Sequence, residues 1–305
     1  MSHKVREKPV LRTVFLLLIW CGISFFLTIR YPHYPIPSTP YAYAEEWLQI
    51  SSDHFLVFYF GDDKFPRDVS RWAEYYYQRI ATELGYPRYS EFWTWDKRVK
   101  IYIYPDHDSF LKATGQPTWS QGVAEYNRKQ IASYAWSNDF NEALLPHEMA
   151  HLIFRDFVGF RGEVPLWLDE GVAQWAEEAK HRQIKAMSKK LYEDDGLLSL
   201  KDMMGLDIRK VSSTDKVYIR ATRTKEGDPS VLFLSGDNLI SAYYLQAVSL
   251  VGFLIESYGS LSFADFCREL RDGKSLEDAL KAAYPTHLRS LGEFEKKWRE
   301  YVAKQ

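Results

Sequence analysis

Cysteine is scarce in this sequence. Only Cys21 and Cys267 occur among the 305 residues, the first in an apolar N-terminal run and the second in a predicted C-terminal helix. We therefore expect no intramolecular disulfide, and a structural zinc site built from several cysteines is excluded.

An excess of charge of either sign is also missing. The chain has 39 Lys and Arg against 41 Asp and Glu, and the basic residues are scattered instead of forming stripes. Nucleic-acid-binding proteins carry basic patches, so this balance predicts no nucleic-acid partner. The chain is 46% hydrophobic and 16% aromatic, which is enough to bury a large core.

One N-terminal run, residues 14–29, has no charged residue, and basic residues precede it. Its length lies between that of a signal-peptide core and that of a spanning helix. The small-x-small cleavage candidate Ala42-Tyr43-Ala44 is too distant, so we expect an uncleaved membrane helix at residues 13–30 after a cytoplasmic tail at 1–12. A cleaved signal peptide is the alternative. The preceding positive charges predict a single-pass protein of the cell membrane with its bulk extracytoplasmic.

The remaining chain divides into a linker and one domain. Residues 31–45 contain four prolines, which favour an extended, semi-rigid linker. The catalytic domain is expected at 46–305, with an α/β half at 46–140 and a helical half at 141–305.

The first half alternates strand and helix patterns. Aromatic and β-branched runs predict five strands, at 47–51, 54–60, 99–104, 122–126 and 130–134. A helix is predicted over 67–84, ending at Gly85. The run Asp106-His107-Asp108 resembles a metal site, but Asp between a strand and a helix is typical of a helix cap, and we interpret it as one.

The most informative stretch is His147-Glu148-Met149-Ala150-His151. Helical residues four apart lie on one face, so His147 and His151 can present two imidazole nitrogens to one metal ion. Glu148 is placed to contact a water on that metal without binding the metal, which is the arrangement of a metalloprotease helix. Pro146 lacks an amide proton, so the helix is expected to begin close to His147.

A catalytic zinc needs a third protein ligand, and Glu170 is the candidate. Leu168, Val172 and Trp175 recur at helical spacing and predict a second, partly buried helix. Eighteen residues separate His151 from Glu170, which is enough for a loop to turn and the second helix to return antiparallel. The alternative is a solvated helix whose histidines are surface residues.

These two helices resemble those of the gluzincin metallopeptidases, whose pattern is a two-histidine helix, eighteen residues and a ligand glutamate. More narrowly, Trp167-Leu168-Asp169-Glu170-Gly171 is similar to the Trp-Leu-x-Glu-Gly run of the bacterial peptidase-MA-like family, often membrane-anchored. The resemblance implies an α+β, gluzincin-like (thermolysin-type) domain. Such a domain has a small N-terminal mixed sheet with an edge strand, followed by a mainly helical C-terminal half. It also implies zinc bound by His147, His151 and Glu170.

The resemblance implies further roles. The edge strand, Gly122–Glu125, would hold an extended substrate by backbone hydrogen bonds, as in β-strand addition. Tyr243-Tyr244-Leu245-Gln246 matches a Tyr-x-Gln pattern of the family, which makes Tyr244 the candidate phenol for the developing oxyanion, with Tyr243 as the fallback. A core aromatic is the alternative for Tyr244. Independently of the resemblance, Asp169 and Gln174 are candidates to orient the histidines, and ordinary helix-surface residues are the alternative.

The chain after Glu170 is predicted to be mostly helical. Charged residues 173–191 indicate one long surface helix, and residues 205–237 indicate an irregular surface insertion, or alternatively a flap over the cleft. The remaining expected helices are a short one within 196–206, an apolar one at 239–258, and three closing helices at 263–270, 275–283 and 288–302.

Together these features predict a zinc-dependent metallopeptidase that hydrolyses peptide bonds outside the cytoplasm, with Glu148 as general base on zinc-bound water. The expected partners are a peptide or protein substrate and, through the N-terminal helix, the membrane. One alternative is a membrane-tethered zinc hydrolase of a non-protein amide. The other is a catalytically silent scaffold.

Overall fold

The computed structural model describes residues 46–86, 92–118, 120–135, 140–159, 164–212 and 216–305. The predicted tail at 1–12, membrane helix at 13–30 and linker at 31–45 lie outside the described residues. The described part is mixed α+β, 59% helical and 16% strand.

A five-stranded mixed sheet lies in the first half of the described chain. Its strands are β1 (Leu48–Ser51), β2 (Phe55–Tyr59), β3 (Val99–Tyr104), β4 (Gly122–Glu125) and β5 (Gln130–Tyr134). Their spatial order is β1-β2-β3-β5-β4. The three inner strands are parallel, whereas β1 and β4 run antiparallel to their neighbours at the two edges. The five predicted strands are thereby confirmed.

The predicted hairpin before the two-histidine helix is also confirmed. Gly122 of β4 lies opposite Ser133 of β5. The chain turns between the two strands through a short 3-10 helix, Tyr126–Arg128, and Lys129 closes the turn with a positive φ of 48°. β5 is the neighbour of β4 among the described strands, so β4 is an edge strand.

Helices make up most of the rest of the described chain. They are α1 (Lys64–Glu83), α2 (His107–Thr114), α3 (Leu145–Val158), α4 (Leu166–Trp175), α5 (His181–Glu193), α6 (Leu200–Met204), α7 (Gly236–Tyr258), α8 (Ser260–Arg271), α9 (Leu276–Ala283) and α10 (Leu291–Ala303). The predictions for α1, the short α6, the apolar α7 and the three closing helices are confirmed, with ends that differ by a few residues.

The sheet has apolar residues on both faces. Val57 and Ile101 face the main core, to which α3, α4 and α7 also contribute. On the other face, Tyr104 and Ala132 pack against Phe110 of α2. Because residues of a strand alternate between faces, the inner strands pack α3 against one side of the sheet and α2 against the other.

The start of α3 differs in one detail from the prediction. A π-helical turn over Phe140–Leu144 runs directly into α3, so helical backbone begins five residues before α3 itself. Pro146 occupies one of the first two positions of α3, at the junction with the π-helical turn. His147 is therefore in the first turn of α3, as predicted.

The prediction of one long helix over 173–191 is wrong. α4 ends at Trp175, and α5 begins only at His181. The backbone leaves the helical region at Glu177, where ψ is 67°. The Glu177 carboxylate lies 2.9 Å from Nδ1 of His147, so a tertiary contact overrides the local helix propensity.

The prediction that residues 205–237 are irregular is also wrong. Strands β6 (Val217–Arg223) and β7 (Pro229–Ser235) form an antiparallel hairpin in which Ile219 lies opposite Phe233. Both side chains are at least half exposed, whereas Leu234 on the opposite face is buried. Apolar residues alternate along both strands, but charged residues lie among and around them. The alternation is therefore hard to recognise in the sequence.

The apolar helix α7 begins earlier than predicted, because the Ser235 side chain accepts a hydrogen bond from the Asn238 N–H and caps it. Within the described chain it is the one helix whose length and composition would suit a membrane span. However, 83% of its most apolar window is buried. Burial on this scale is typical of a core helix.

A glycine permits the close approach of α4 and α7. A Cβ atom on Gly171 would lie 2.6 Å from the carbonyl oxygen of Ala247 and 2.8 Å from a methyl carbon of Val251. Real Cβ atoms do not come so close to a backbone oxygen. Gly171 directly follows Glu170, so this contact also determines where Glu170 lies.

We predict that Gly171→Ala destabilises the fold by about 1–3 kcal/mol, because the added methyl group forces α4 away from α7. Urea unfolding measures the change. The matched control is Gly292→Ala in α10, where a Cβ meets only the Ser290 hydroxyl at 3.8 Å. This control should be neutral or stabilising by up to about 1 kcal/mol, since Ala favours helix over Gly. Equal effects of the two substitutions would contradict the prediction.

Candidate metal centre

Two histidines and one glutamate converge between α3 and α4. One potential ligand atom from each of His147, His151 and Glu170 lies within 4.8 Å of the others, and all three residues are buried. Zinc ligands about 2.0–2.1 Å from the ion lie roughly 3.3 Å apart in a tetrahedral site, so small side-chain rotations would close the three around one ion. The structure thus brings the three predicted ligands together.

The positions of the two histidines follow from the helix geometry of α3. His147 and His151 are one turn apart on the same face, and their ring centroids are 5.0 Å apart. Leu152, Ile153 and Phe154 are buried in the core around them. These apolar contacts hold α3 in place, so the imidazoles keep their direction without help from solvent.

Glu148 lies in the same buried region. Its charge is one of those that raise the pKa of His151, which places its carboxylate close to the histidines. Its Oε1 is buried and has no hydrogen-bond partner among the described residues. A buried carboxylate oxygen without a partner is costly, and it is available to accept a proton.

Asp169 orients His151. An oxygen of Asp169 lies 2.9 Å from Nδ1 of His151, and the other oxygen accepts a hydrogen bond from Arg155. With Nδ1–H donating to the carboxylate, the neutral form of His151, which is the form that binds a metal, carries its lone pair on Nε2. Asp169 was a sequence candidate for this role, and the contact is present.

Glu177 makes the corresponding contact to His147, and the sequence interpretation missed it. Its Oε1 lies 2.9 Å from Nδ1 of His147, and its Oε2 lies 2.5 Å from Nζ of Lys180. Gln174 had been the candidate. The available signal was the spacing of seven residues between Glu170 and Glu177, about two helical turns, which in one continuous helix would place both residues on the same face.

The charges of this cluster are strongly coupled. Burial alone lowers the pKa of His151, but the Asp169 carboxylate, and then Glu170 and Glu148, raise it to about 9. Burial opposes the charge on Asp169 as well, yet His151 and Arg155 hold its pKa below the ordinary value. The buried carboxylates thus create a negative potential in which a positive charge is favourable.

Glu177 follows the same pattern. Burial raises its pKa, but the contacts with His147 and Lys180 outweigh burial and lower it. Each histidine is therefore held by a carboxylate, and each of these carboxylates is paired with a cation on its far side. Arg155 and Lys180 balance the charge of the two orienting carboxylates.

Two tyrosines of α7 lie near Glu170. Burial raises the pKa of Tyr244 well above its ordinary value, and the Glu170 charge raises it further. Tyr243 is affected in the same way, and the two ring centroids are 5.7 Å apart. Both phenols therefore stay protonated at neutral pH and can donate a hydrogen bond. Proximity to Glu170 therefore does not show which of the two phenols would donate that hydrogen bond.

The second candidate metal run, at residues 106–108, has a structural role. Asp106 accepts a hydrogen bond from the Ser109 N–H at 2.7 Å and caps α2. Nε2 of His107 lies 2.8 Å from the Ser120 carbonyl oxygen. The interpretation of this run as a helix cap is confirmed.

The residues around the centre fit a metal ion. Nε2 of His151 is buried and has no hydrogen-bond partner in the described part of the chain. Leaving such an atom unsatisfied costs about 1–3 kcal/mol, and an ion between the imidazoles and Glu170 would remove that cost. Two imidazole nitrogens and one carboxylate oxygen suit a divalent transition metal.

We predict that the full-length protein binds one Zn²⁺ per chain and melts at a higher temperature with it, since a ligand at 100 times its Kd adds about 2.7 kcal/mol. Glu170→Gln should weaken binding by more than about 100-fold, exceeding the effect of an orienting residue. His107→Ala is the matched control and should bind zinc like the wild type. Chelator competition measures both, and zinc binding by Glu170→Gln at wild-type affinity would exclude Glu170 as a ligand.

No protein-family model matches the sequence, and a search of curated proteins also finds no match.

Proposed function

We propose that this protein is a zinc-dependent metallopeptidase of the gluzincin type that cleaves peptide or protein substrates. The observation that carries this proposal is the buried convergence of His147, His151 and Glu170 within 4.8 Å, with Glu148 beside it. A site that only binds a metal has no need of a carboxylate between its histidines. A hydrolase needs one as a base.

The proposed ligands are His147, His151 and Glu170. A zinc ion bound there supplies a Lewis acid that activates water and polarises the scissile carbonyl. Glu148 accepts the proton of the attacking water through its buried Oε1 and then donates that proton to the leaving amine. The buried surroundings support this role because they keep competing solvent away from the carboxylate.

Tyr244 is the proposed donor to the carbonyl oxygen as that oxygen becomes negatively charged. Its phenol is protonated, buried and on the helix that packs against α4. A donor fixed before the reaction stabilises the developing charge without reorganisation. Tyr243 lies near the same carboxylate, so the two must be separated by experiment.

The edge strand β4 is the proposed binding site for the peptide backbone. It lies beside the start of α3, since a Cβ on Gly122 would contact the Leu144 side chain at 2.7 Å. An extended peptide can pair with a free strand edge through main-chain hydrogen bonds. This arrangement would bring a peptide bond to the histidine helix without requiring a particular side chain.

The proposed location rests on the sequence alone. The predicted membrane helix at residues 13–30 and the positive charges before it predict a catalytic domain outside the cytoplasm. A peptidase there would act on proteins of the cell envelope.

We expect Glu148→Gln to lower peptide cleavage by about 10²–10⁴-fold, because the amide cannot take the proton of water. Zinc affinity should be unchanged, since Glu148 is not a ligand. Cleavage of a peptide mixture by full-length protein, read by mass spectrometry, tests this. Glu142→Gln, which alters an exposed glutamate in the turn before α3, is the control and should cut normally.

Three results of that experiment would count against the proposal. A wild type that binds zinc but cuts no peptide would favour hydrolysis of a non-protein amide or a scaffold. A wild type that takes up no metal would reject the metal centre itself. Equal cleavage by the wild type and Glu148→Gln would exclude Glu148 as the base.

We expect Tyr244→Phe to lower kcat by about 10²-fold or more with little change in KM, because the donor acts only on the developing oxyanion. Tyr243→Phe is the matched control and should retain most of the activity. Steady-state kinetics on one peptide separate the two. If Tyr243→Phe alone lost activity, Tyr243 would be the donor and the sequence match would have selected the wrong residue.

A further inference from the structure

The end of α4 holds an orienting carboxylate. Glu177 lies two residues after the last residue of α4, and its ψ of 67° takes the chain out of the helix. The Glu177 N–H still bonds to the Gln174 carbonyl at 3.2 Å. The contact between Glu177 and His147 therefore depends on where α4 stops.

Ending a helix leaves carbonyl oxygens without intrahelical partners, and these oxygens carry the negative end of the helix dipole. At α4, a guanidinium from a different part of the chain meets this end. Arg79 of α1 donates to the carbonyl oxygen of Ala176, the residue just before Glu177. The same guanidinium lies 3.3 Å from the carboxylate of Glu178, the residue just after Glu177.

The side chain of Arg79 is held tightly. It is 11% exposed and also lies 3.4 Å from Glu83 on its own helix. Its guanidinium carbon is 5.2 Å from the centre of the Tyr76 ring, in cation–π geometry. An Arg fixed on several sides loses little further freedom when it binds a carbonyl and a carboxylate at once.

We infer that Arg79 is a positioning residue for the metal centre, acting through Glu177 on His147. Arg79 holds the residues on either side of Glu177, and Lys180 holds the outer oxygen of the Glu177 carboxylate. Together they keep Glu177 on Nδ1 of His147, so that Nε2 faces the shared ligand position. The inference rests on the proposed metal centre and extends it to the first half of the domain, 97 residues away in sequence.

Zinc affinity of the full-length protein tests the inference without any measurement of activity. Glu177→Gln should weaken zinc binding by about 10–100-fold, the usual effect of losing a partner of a ligand histidine. Arg79→Met should weaken it by about tenfold. Arg71→Met is the matched control on the same helix, because Arg71 is exposed and pairs with Asp68 at the surface, and it should bind zinc normally.

The double variant Arg79→Met/Glu177→Gln separates positioning from general loss of structure. If Arg79 acts through Glu177, the double variant binds zinc no more weakly than Glu177→Gln alone. The absorption spectrum of the Co²⁺-substituted protein should change in the same way in both single variants, since both release His147. Arg79→Lys keeps a cation but lacks the planar fork, so its zinc affinity should fall between those of the wild type and Arg79→Met. This variant also tests the inference if Arg79→Met does not fold.

Additive losses in the double variant would overturn the inference, as would wild-type affinity in Arg79→Met and Arg79→Lys. Wild-type affinity in Glu177→Gln would also overturn it, because Glu177 would then not orient a ligand. These outcomes leave the proposed function intact. A wild-type protein that binds no zinc would instead reject the proposed function, and the inference with it.

Discussion

The burial of a charged cluster between α3 and α4 is the constraint on which the rest of the structure depends. Four carboxylates, those of Glu148, Asp169, Glu170 and Glu177, are buried together with two imidazoles. Unpaired buried charges cost far more than a fold can tolerate. The arrangement is stable because each orienting carboxylate contacts both a histidine and a cation, and because Glu170 and the two imidazoles surround a position suited to a metal ion.

This constraint explains features of the chain that otherwise look unrelated. The helix break at Glu177 supplies the carboxylate for His147, and Arg79 from the first half donates to the Ala176 carbonyl next to that break. Gly171 allows α4 to approach α7, which brings Glu170 near two protonated phenols. The sheet, the histidine helix and the apolar core helix thus all contribute to the geometry of one small region.

Much of the architecture was accessible from sequence, because local patterns decide it. Alternating residues such as those of Val99–Tyr104 form strands wherever one face is buried. The two exceptions have a common cause. Residues 173–191 have the composition of one helix, but that helix is interrupted where Glu177 contacts His147. Within 205–237, Val217–Arg223 and Pro229–Ser235 form a hairpin, from which Leu234 is buried in the core. The residues that these two segments contact lie elsewhere in the chain, so the sequence of the segment alone does not reveal the contact.

The candidate site likewise has features that local sequence spacing predicts and features that depend on how the helices pack. The sequence by itself determined that His147 and His151 share a face and that Glu148 stands beside them, because four residues make about one helical turn. It also selected Glu170, because eighteen residues suffice for a returning helix. Only the tertiary structure decided that the three ligand atoms come within 4.8 Å, and that Glu177 instead of Gln174 orients His147. Those contacts depend on how separate helices pack, and no local spacing encodes the packing.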